Sequence, residues 1–265
     1  MVKKRVIPVI LLREGRIVQS RRYSRYNILG DPTPAVERIS NWSSDELIYL
    51  DITNREDPHA ELHEVDSLLQ AIALRCSVPL TFGGGVRSVE DVRRRLRLGA
   101  DKITLNSMAI DQPDLIDQVA AAFGSQCMVV SMDVKLNAEG RHEVFKCGRK
   151  PTGATPEAFA KMVEQRGAGE ILVSSVDRDG TGQGFDIDLI RRVCGAVRIP
   201  VIALGGAGDW GHFAEVLTKT DASAVAAANI FQHSENSVHE CKDHLHRAGF
   251  PVRKPAPLST ESAIL

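Results

Sequence analysis

The chain has 265 residues, with 33 Lys+Arg against 34 Asp+Glu and a formal net charge of −1. A hydrophobic fraction of 43% and a charged fraction of 25% exclude a disordered chain. The balanced charge excludes a generally basic nucleic-acid binder. The length fits one large α/β barrel as well as two smaller domains. Five scattered cysteines (Cys76, Cys127, Cys147, Cys194 and Cys241) contain no Cys-x-x-Cys pair. That pattern argues against a disulfide framework or zinc ribbon and points to a reducing cytoplasm.

The chain opens with Lys3, Lys4 and Arg5 before a short apolar run. Pro8 interrupts that run and no small-residue cleavage site follows, so it reads as a strand and not as a leader. No stretch approaches the ~20 apolar residues of a membrane span. Candidate strands follow at Arg5–Leu12, Leu47–Ile52, Val78–Phe82, Asp101–Asn106, Cys127–Asp133, Glu170–Ser175, Ile199–Leu204 and Ala222–Ala227. Their apolar runs are nearly continuous, as in strands buried on both faces. Helical segments separate them. Ser88 caps a helix with Glu90 and Asp91 in its first turn, and Gly99 stops it. Thr155-Pro156 gives a second cap, with proline at the first helical position. Eight strands alternating with eight helices predict a closed (β/α)8 TIM barrel over residues 1–250, with an open doubly wound sheet as the alternative. From Pro251 the periodicity fades, and 251–265 reads as a flexible C-terminal tail.

A half-barrel internal repeat is visible. Val78-Pro79-Leu80-Thr81-Phe82-Gly83-Gly84-Gly85 resembles Ile199-Pro200-Val201-Ile202-Ala203-Leu204-Gly205-Gly206, and Glu46-Leu47-Ile48 resembles Glu170-Ile171-Leu172. In both halves the glycines fall at the carboxyl end of a strand, where barrel active sites lie. Turns without side chains let backbone N–H groups close on an anion. Two such turns in matching places suit a ligand with a phosphate at each end, with Asn106-Ser107 and Ala228-Asn229 completing the two cradles. Glycines that merely permit tight turns are the alternative. Asp51, Asp133 and Asp179, the last in Asp177-Arg178-Asp179-Gly180-Thr181, also end strands or follow them. Any one of them can be a turn acid, but three on one rim suit proton transfer or a ribose hydroxyl. The segment Arg13–Leu29, with Arg16, Arg21, Arg22, Arg25, Tyr23 and Tyr26, meets an anionic ligand or is a solvated loop. His59 and His63 lack a third ligand and read as surface residues, so no metal and no cofactor is expected.

These motifs, together with Arg5-Val6-Ile7-Pro8, Leu50-Asp51-Ile52-Thr53, Asp101-Lys102 and Arg166-Gly167-Ala168-Gly169-Glu170, stand in one order over residues 1 to about 253. In that order they resemble the cyclase (HisF-type) subunit of imidazole glycerol phosphate synthase. The resemblance implies a barrel docked on a glutaminase subunit whose ammonia passes from bottom to top, through a gate matched by Arg5, Glu46, Lys102 and Glu170. At the top, lyase chemistry on a doubly phosphorylated ribulosyl substrate uses two aspartates as general acid and base. Asp133 matches one of them. Leu11 stands at the position of the other, and the repeat also sets Leu11 opposite Asp133. Gln19, Leu204 and Asn229 depart from the lysine and serines usual in the family. Lys3-Lys4-Arg5-Val6-Ile7-Pro8-Val9-Ile10-Leu11-Leu12 and Ile28-Leu29-Gly30-Asp31-Pro32 resemble a branch (the WbuZ type) tied to glycosyl amidation in surface-polysaccharide synthesis, which supplies ammonia to a separate sugar amidotransferase. Three readings follow from the resemblance: an ammonia-channelling subunit for sugar amidation, a true histidine-pathway cyclase with Glu14 as a relocated acid, and a catalytically silent scaffold that activates a glutaminase.

Overall fold

A computed structural model describes residues 2–54, 65–232 and 234–255. In chain order its elements are β1 (Arg5–Arg13), β2 (Arg16–Arg21), β3 (Arg25–Gly30), α1 (Pro32–Asn41), β4 (Leu47–Asp51), α2 (Val65–Ala73), β5 (Leu80–Gly83), α3 (Val89–Arg97) and β6 (Lys102–Leu105). Then come α4 (Ser107–Asp111), α5 (Asp114–Phe123), β7 (Met128–Leu136), β8 (His142–Lys146), β9 (Lys150–Pro151), α6 (Pro156–Gln165) and β10 (Glu170–Ser175). The chain continues through α7 (Ile187–Ala196), β11 (Val201–Leu204), α8 (Trp210–Lys219), β12 (Ala224–Ala227), a 3₁₀ turn (Asn229–Gln232) and α9 (Ser237–Arg247). The caps read from the sequence are formed: Ser88 Oγ accepts from Asp91 N, and Thr155 Oγ1 from Ala158 N.

The parallel strands run β1-β4-β5-β6-β7-β10-β11-β12, and β12 pairs with β1 to close an eight-stranded barrel. All eight strands expected from the sequence are present. The open-sheet alternative is thereby excluded. Two cores result. Between sheet and helices lie residues such as Val6, Tyr49, Phe82, Val130 and Val173. Inside the barrel lie Ile7, Val9, Leu11, Ile48, Val129, Leu172, Ile202, Leu204, Ala224 and Ala226. Strand alternation explains the split, since odd and even residues of one strand face opposite sides.

Strand register makes the half-barrel repeat explicit. Starting at Leu11, pairing runs to Leu50, Gly83, Thr104 and then Val129, four residues before Asp133. From Asp133 it runs to Ser174, Leu204, Ala226 and then Ile7, four residues before Leu11. The two equal steps together give the shear of about eight characteristic of this barrel. Leu11 and Asp133 therefore occupy equivalent places at the upper rim. The connections repeat as well. β1 and β7 each lead into an antiparallel excursion, β2–β3 and β8–β9, while β6 and β12 each lead into an extra short helical turn. These excursions were not anticipated: Arg13–Leu29 was read as a loop, and much of it is the β2–β3 hairpin.

The end of the chain departs from expectation at its first residues. Pro251 O accepts from Lys4 N at 2.8 Å, Val252 bridges Lys4 and is buried, and Arg253 Nε reaches Asp45 at 3.0 Å. Asp45 also takes Lys242 Nζ at 2.6 Å, which offsets the burial of that ammonium. Pro251–Arg253 thus pack beside the start of β1 at the barrel's lower face, with 256–265 outside the described residues. A chain ending at Phe250 is expected to lose on the order of 2 kcal/mol, as for one buried Val side chain. One ending at Pro255 should match the full chain in thermal denaturation; equal melting of all three would refute this anchoring.

Candidate functional site

A cavity of about 640 Å³ opens at the carboxyl ends of the first-half strands. It gathers Asp51, Gly83, Gly84, Gly85, Asn106, Ser107 and Asp133 among the residues singled out from the sequence, with Leu11 in its wall. Asp179, Gly180, Thr181, Gly205, Gly206, Ala228 and Asn229 do not line it. The two halves of the rim therefore differ, although their glycine patterns match.

Asp133 is buried at the end of the barrel-facing side of β7. Its Oδ1 accepts from Tyr23 Oη at 3.3 Å, and Tyr23 Oη lies 2.7 Å from Ser174 Oγ on the neighbouring strand. Burial pushes the Asp133 carboxyl up to about 7; hydrogen bonds from Tyr23 and Asn106 work against this, and the nearby charge of Asp179 adds to it. Burial, then the charges of Asp133 and Asp179, keeps the Tyr23 phenol protonated. Asp133 and Tyr23 together can exchange a proton near neutral pH with a group held in the cavity.

Tyr23 gets there because the β2–β3 turn folds over the rim. Arg22 and Tyr23 both have φ of 51°, in the left-handed region that costs a non-glycine residue about 1–3 kcal/mol. Hydrogen bonds offset that strain. Arg22 N donates to Asp179 O at 3.0 Å, Ser20 Oγ to Asp179 Oδ2 at 2.7 Å, and Asn229 Nδ2 to Ser20 O at 2.8 Å. Burial raises the Asp179 carboxyl above its ordinary range, opposed by its bonds from Ser20, Tyr23 and Arg22. Asp179, Gly180 and Asn229 thus hold the chain's own hairpin.

Asp51, buried at the end of β4, accepts from Thr53 N at 3.0 Å. Asn106 bonds Ser131 O through Nδ2 and receives Cys147 N through Oδ1, tying β6 to β7 and to the β8–β9 turn. That turn adds Lys146, Cys147, Arg149 and Lys150 to the cavity wall, residues the sequence reading did not select. The run Lys146-Cys147-Gly148-Arg149-Lys150 was the available signal. Glu14 lies in the β1–β2 turn, where its carboxylate pairs with Arg13 and does not line the cavity.

At the opposite mouth, the four charges picked from the sequence meet in one ring. Arg5 reaches Glu46 at 2.5 Å and Glu170 at 2.8 Å, and Lys102 reaches Glu46 at 2.9 Å and Glu170 at 2.6 Å. Burial disfavours the Glu170 carboxylate, but bonds from Arg5 and Lys102 outweigh it and hold its carboxyl below the usual range. Between ring and rim the interior face carries Thr81, Thr104, Ser131 and Ser174, all buried. Thr104 Oγ1 has no hydrogen-bond partner among the described residues. Among those residues no group of three His, Cys, Asp or Glu is placed to hold a metal, and no helix is long and apolar enough to cross a membrane. His59 and His63 lie outside them.

Two predictions test the Asp133 pair. Its folded carboxyl titrates above the ~3.9 of an unfolded aspartate. The native state therefore keeps a proton that the unfolded chain releases between about pH 4 and 7, and stability falls as pH rises through that window. Relative to the unsubstituted chain, Asp133→Asn should gain stability progressively across the same window, on the order of 4 kcal/mol, and level off above it. Chemical denaturation at several pH values checks this, and a pH-independent difference contradicts it. Tyr23→Phe removes a donor to the carboxylate, so the Asp133 carboxyl should titrate higher still; carbon-13 NMR of the labelled side chain reads the change.

The chain folds as a closed (β/α)8 barrel with equivalent rim positions in its two halves. A family model described as "Histidine biosynthesis protein" matches residues 5–237. The chain belongs to that histidine biosynthesis protein family, the HisA/HisF-type barrels.

Proposed function

We propose that this barrel is a HisF-like partner of a glutaminase, conducting ammonia from its lower mouth to its rim for the amidation of a sugar in surface-polysaccharide synthesis, on a separate amidotransferase. The observation that carries the reading is Leu11. An alkyl side chain stands where the barrel's own symmetry calls for the counterpart of Asp133, next to Leu50 where the other half has Ser174. Leucine neither donates nor accepts a proton, and one general acid or base contributes about 10²- to 10⁴-fold to such a reaction. Glu14 stands away from the cavity and gives no support to a relocated acid.

The lower half of the barrel supports the channelling part. Arg5, Glu46, Lys102 and Glu170 neutralise one another around the mouth, so an uncharged molecule meets no net charge there. The interior hydroxyls, with an unpartnered one at Thr104, offer hydrogen bonds to ammonia on the way to Asp133. Asp133, titrating near neutrality, can manage a proton at the exit.

The purified chain, given the ribulosyl bisphosphate of the histidine pathway with ammonium salt, should show no ring closure beside an active cyclase. Turnover at the relative's pace would return the chain to histidine synthesis. Mixed with its glutaminase, it should raise glutamine hydrolysis, and nitrogen-15 from glutamine should reach a sugar only when the third protein is added. Free labelled ammonia alone would leave a scaffold that activates glutaminase. Arg5→Ala should weaken the coupling between the two proteins without lowering the glutaminase's own basal rate.

A further inference from the structure

The rim cavity is built for a ligand with one charged end. On its first-half side the turn Gly83-Gly84-Gly85 and Ser107 are joined by Arg87, Arg149 and Lys150. Among the described residues none of these three cations makes an ion pair, whereas the neighbouring Lys146 is matched by Asp111 at 2.5 Å. The other wall is largely apolar, with Leu11, Leu50, Ile52 and the rings of Tyr23 and Tyr26, and its ionisable groups, Asp51 and Asp133, are acids and not cations.

The equivalent place in the second half is filled from within. Asn229 spends its side-chain N–H on Ser20 O, and Asp179 directs its carboxylate at Ser20 Oγ and Tyr23 N. At Gly180 a Cβ would lie 2.3 Å from Ser20 O and 3.0 Å from the Asn229 amide nitrogen, so the hairpin rests directly on that turn. A phosphate entering there meets the Asp179 carboxylate and finds one of the two Asn229 amide N–H groups already taken by Ser20 O.

We infer that the rim binds a sugar bearing a single oxyanion, phosphate or carboxylate, seated against Arg87, Arg149 and Lys150 with its neutral body toward Leu11 and Tyr23, and that the second anion site of the half-barrel pair is closed by the β2–β3 hairpin. The inference rests on the reading of this rim as diverged from bisphosphate cyclisation, and it names the ligand class that a diverged rim accepts.

Calorimetric titration of the full chain with glucose 6-phosphate, glucuronate and fructose 1,6-bisphosphate tests it. One of the two sugars that carry a single anionic group should bind one-to-one, and whichever binds tighter identifies the oxyanion. The bisphosphate should exceed glucose 6-phosphate by no more than about twofold, the statistical gain of having two ends for one site. Arg149→Ala should weaken binding by about tenfold, as for a lost charge-assisted hydrogen bond. Lys150→Ala, another exposed position, gives a second reading should the first variant fold poorly. A bisphosphate more than tenfold tighter than the monophosphate overturns the inference, as does the absence of binding by all three. No glutaminase enters this experiment, so its failure is separate from failure of the ammonia-channelling reading, which the nitrogen-15 transfer decides.

Discussion

Closure of the sheet by the β12–β1 pairing is the constraint on which everything else depends. In a closed barrel with fixed stagger, each strand must place alternate residues inward, and only one of them reaches the upper rim. Leu11 and Asp133 are thereby compared on equal terms, since the walk around the strands brings each half to the same height. The same alternation brings Arg5, Glu46, Lys102 and Glu170 to one ring at the lower mouth, although they lie as much as 165 residues apart in sequence. A one-residue slip in any of these strands would send its charge into the apolar layer under the helices.

The two ends of the barrel answer burial of charge differently. At the lower mouth two cations and two carboxylates satisfy each other, so desolvation is offset by pairing and Glu170 stays ionised. At the rim Asp133 has a phenol, an amide and the nearby Asp179, and no ion pair among the described residues. Its carboxyl therefore rises to about 7. The first arrangement keeps its carboxylates ionised by pairing; the second leaves a group that can exchange a proton near neutrality.

Much of this was legible in the sequence because it depends on short-range pattern. Apolar runs marked every barrel strand, Ser88 and Thr155 marked helix starts, and aligning the first strand on the fifth set Leu11 against Asp133. The two hairpins were not legible in the same way. Arg16–Arg21 and Arg25–Gly30 are rich in arginine and polar residues, and pair only because β1 runs on past the rim and offers Leu11, Leu12 and Arg13 as an edge. Tyr23 illustrates the limit. Its contact with Asp133 spans 110 residues and requires two consecutive non-glycine residues at positive φ, which propensity alone disfavours. What stabilises that turn comes from Asp179 and Asn229, 159 and 209 residues from Ser20 in the chain.

Matching glycine patterns therefore do not by themselves report matching ligands. A strand-to-helix turn without side chains admits any close neighbour, whether an oxyanion or a peptide carbonyl. At Gly206 the neighbour is Gly184 O, where a Cβ would sit 2.1 Å away, and Gly184 N returns a hydrogen bond to Gly206 O at 2.8 Å. At Gly180 it is Ser20 O. In this barrel the second-half glycines are required by its own loops, so they would be retained after a phosphate had ceased to bind there. The first-half turn also has a close neighbour, since a Cβ on Gly84 would meet Asp51 O at 2.4 Å, yet it opens on a cavity edged by Arg87, Arg149 and Lys150, which make no ion pair among the described residues. It is that charge, supplied by Arg87 and the β8–β9 turn, and not the glycine motif the two halves share, that distinguishes the two turns.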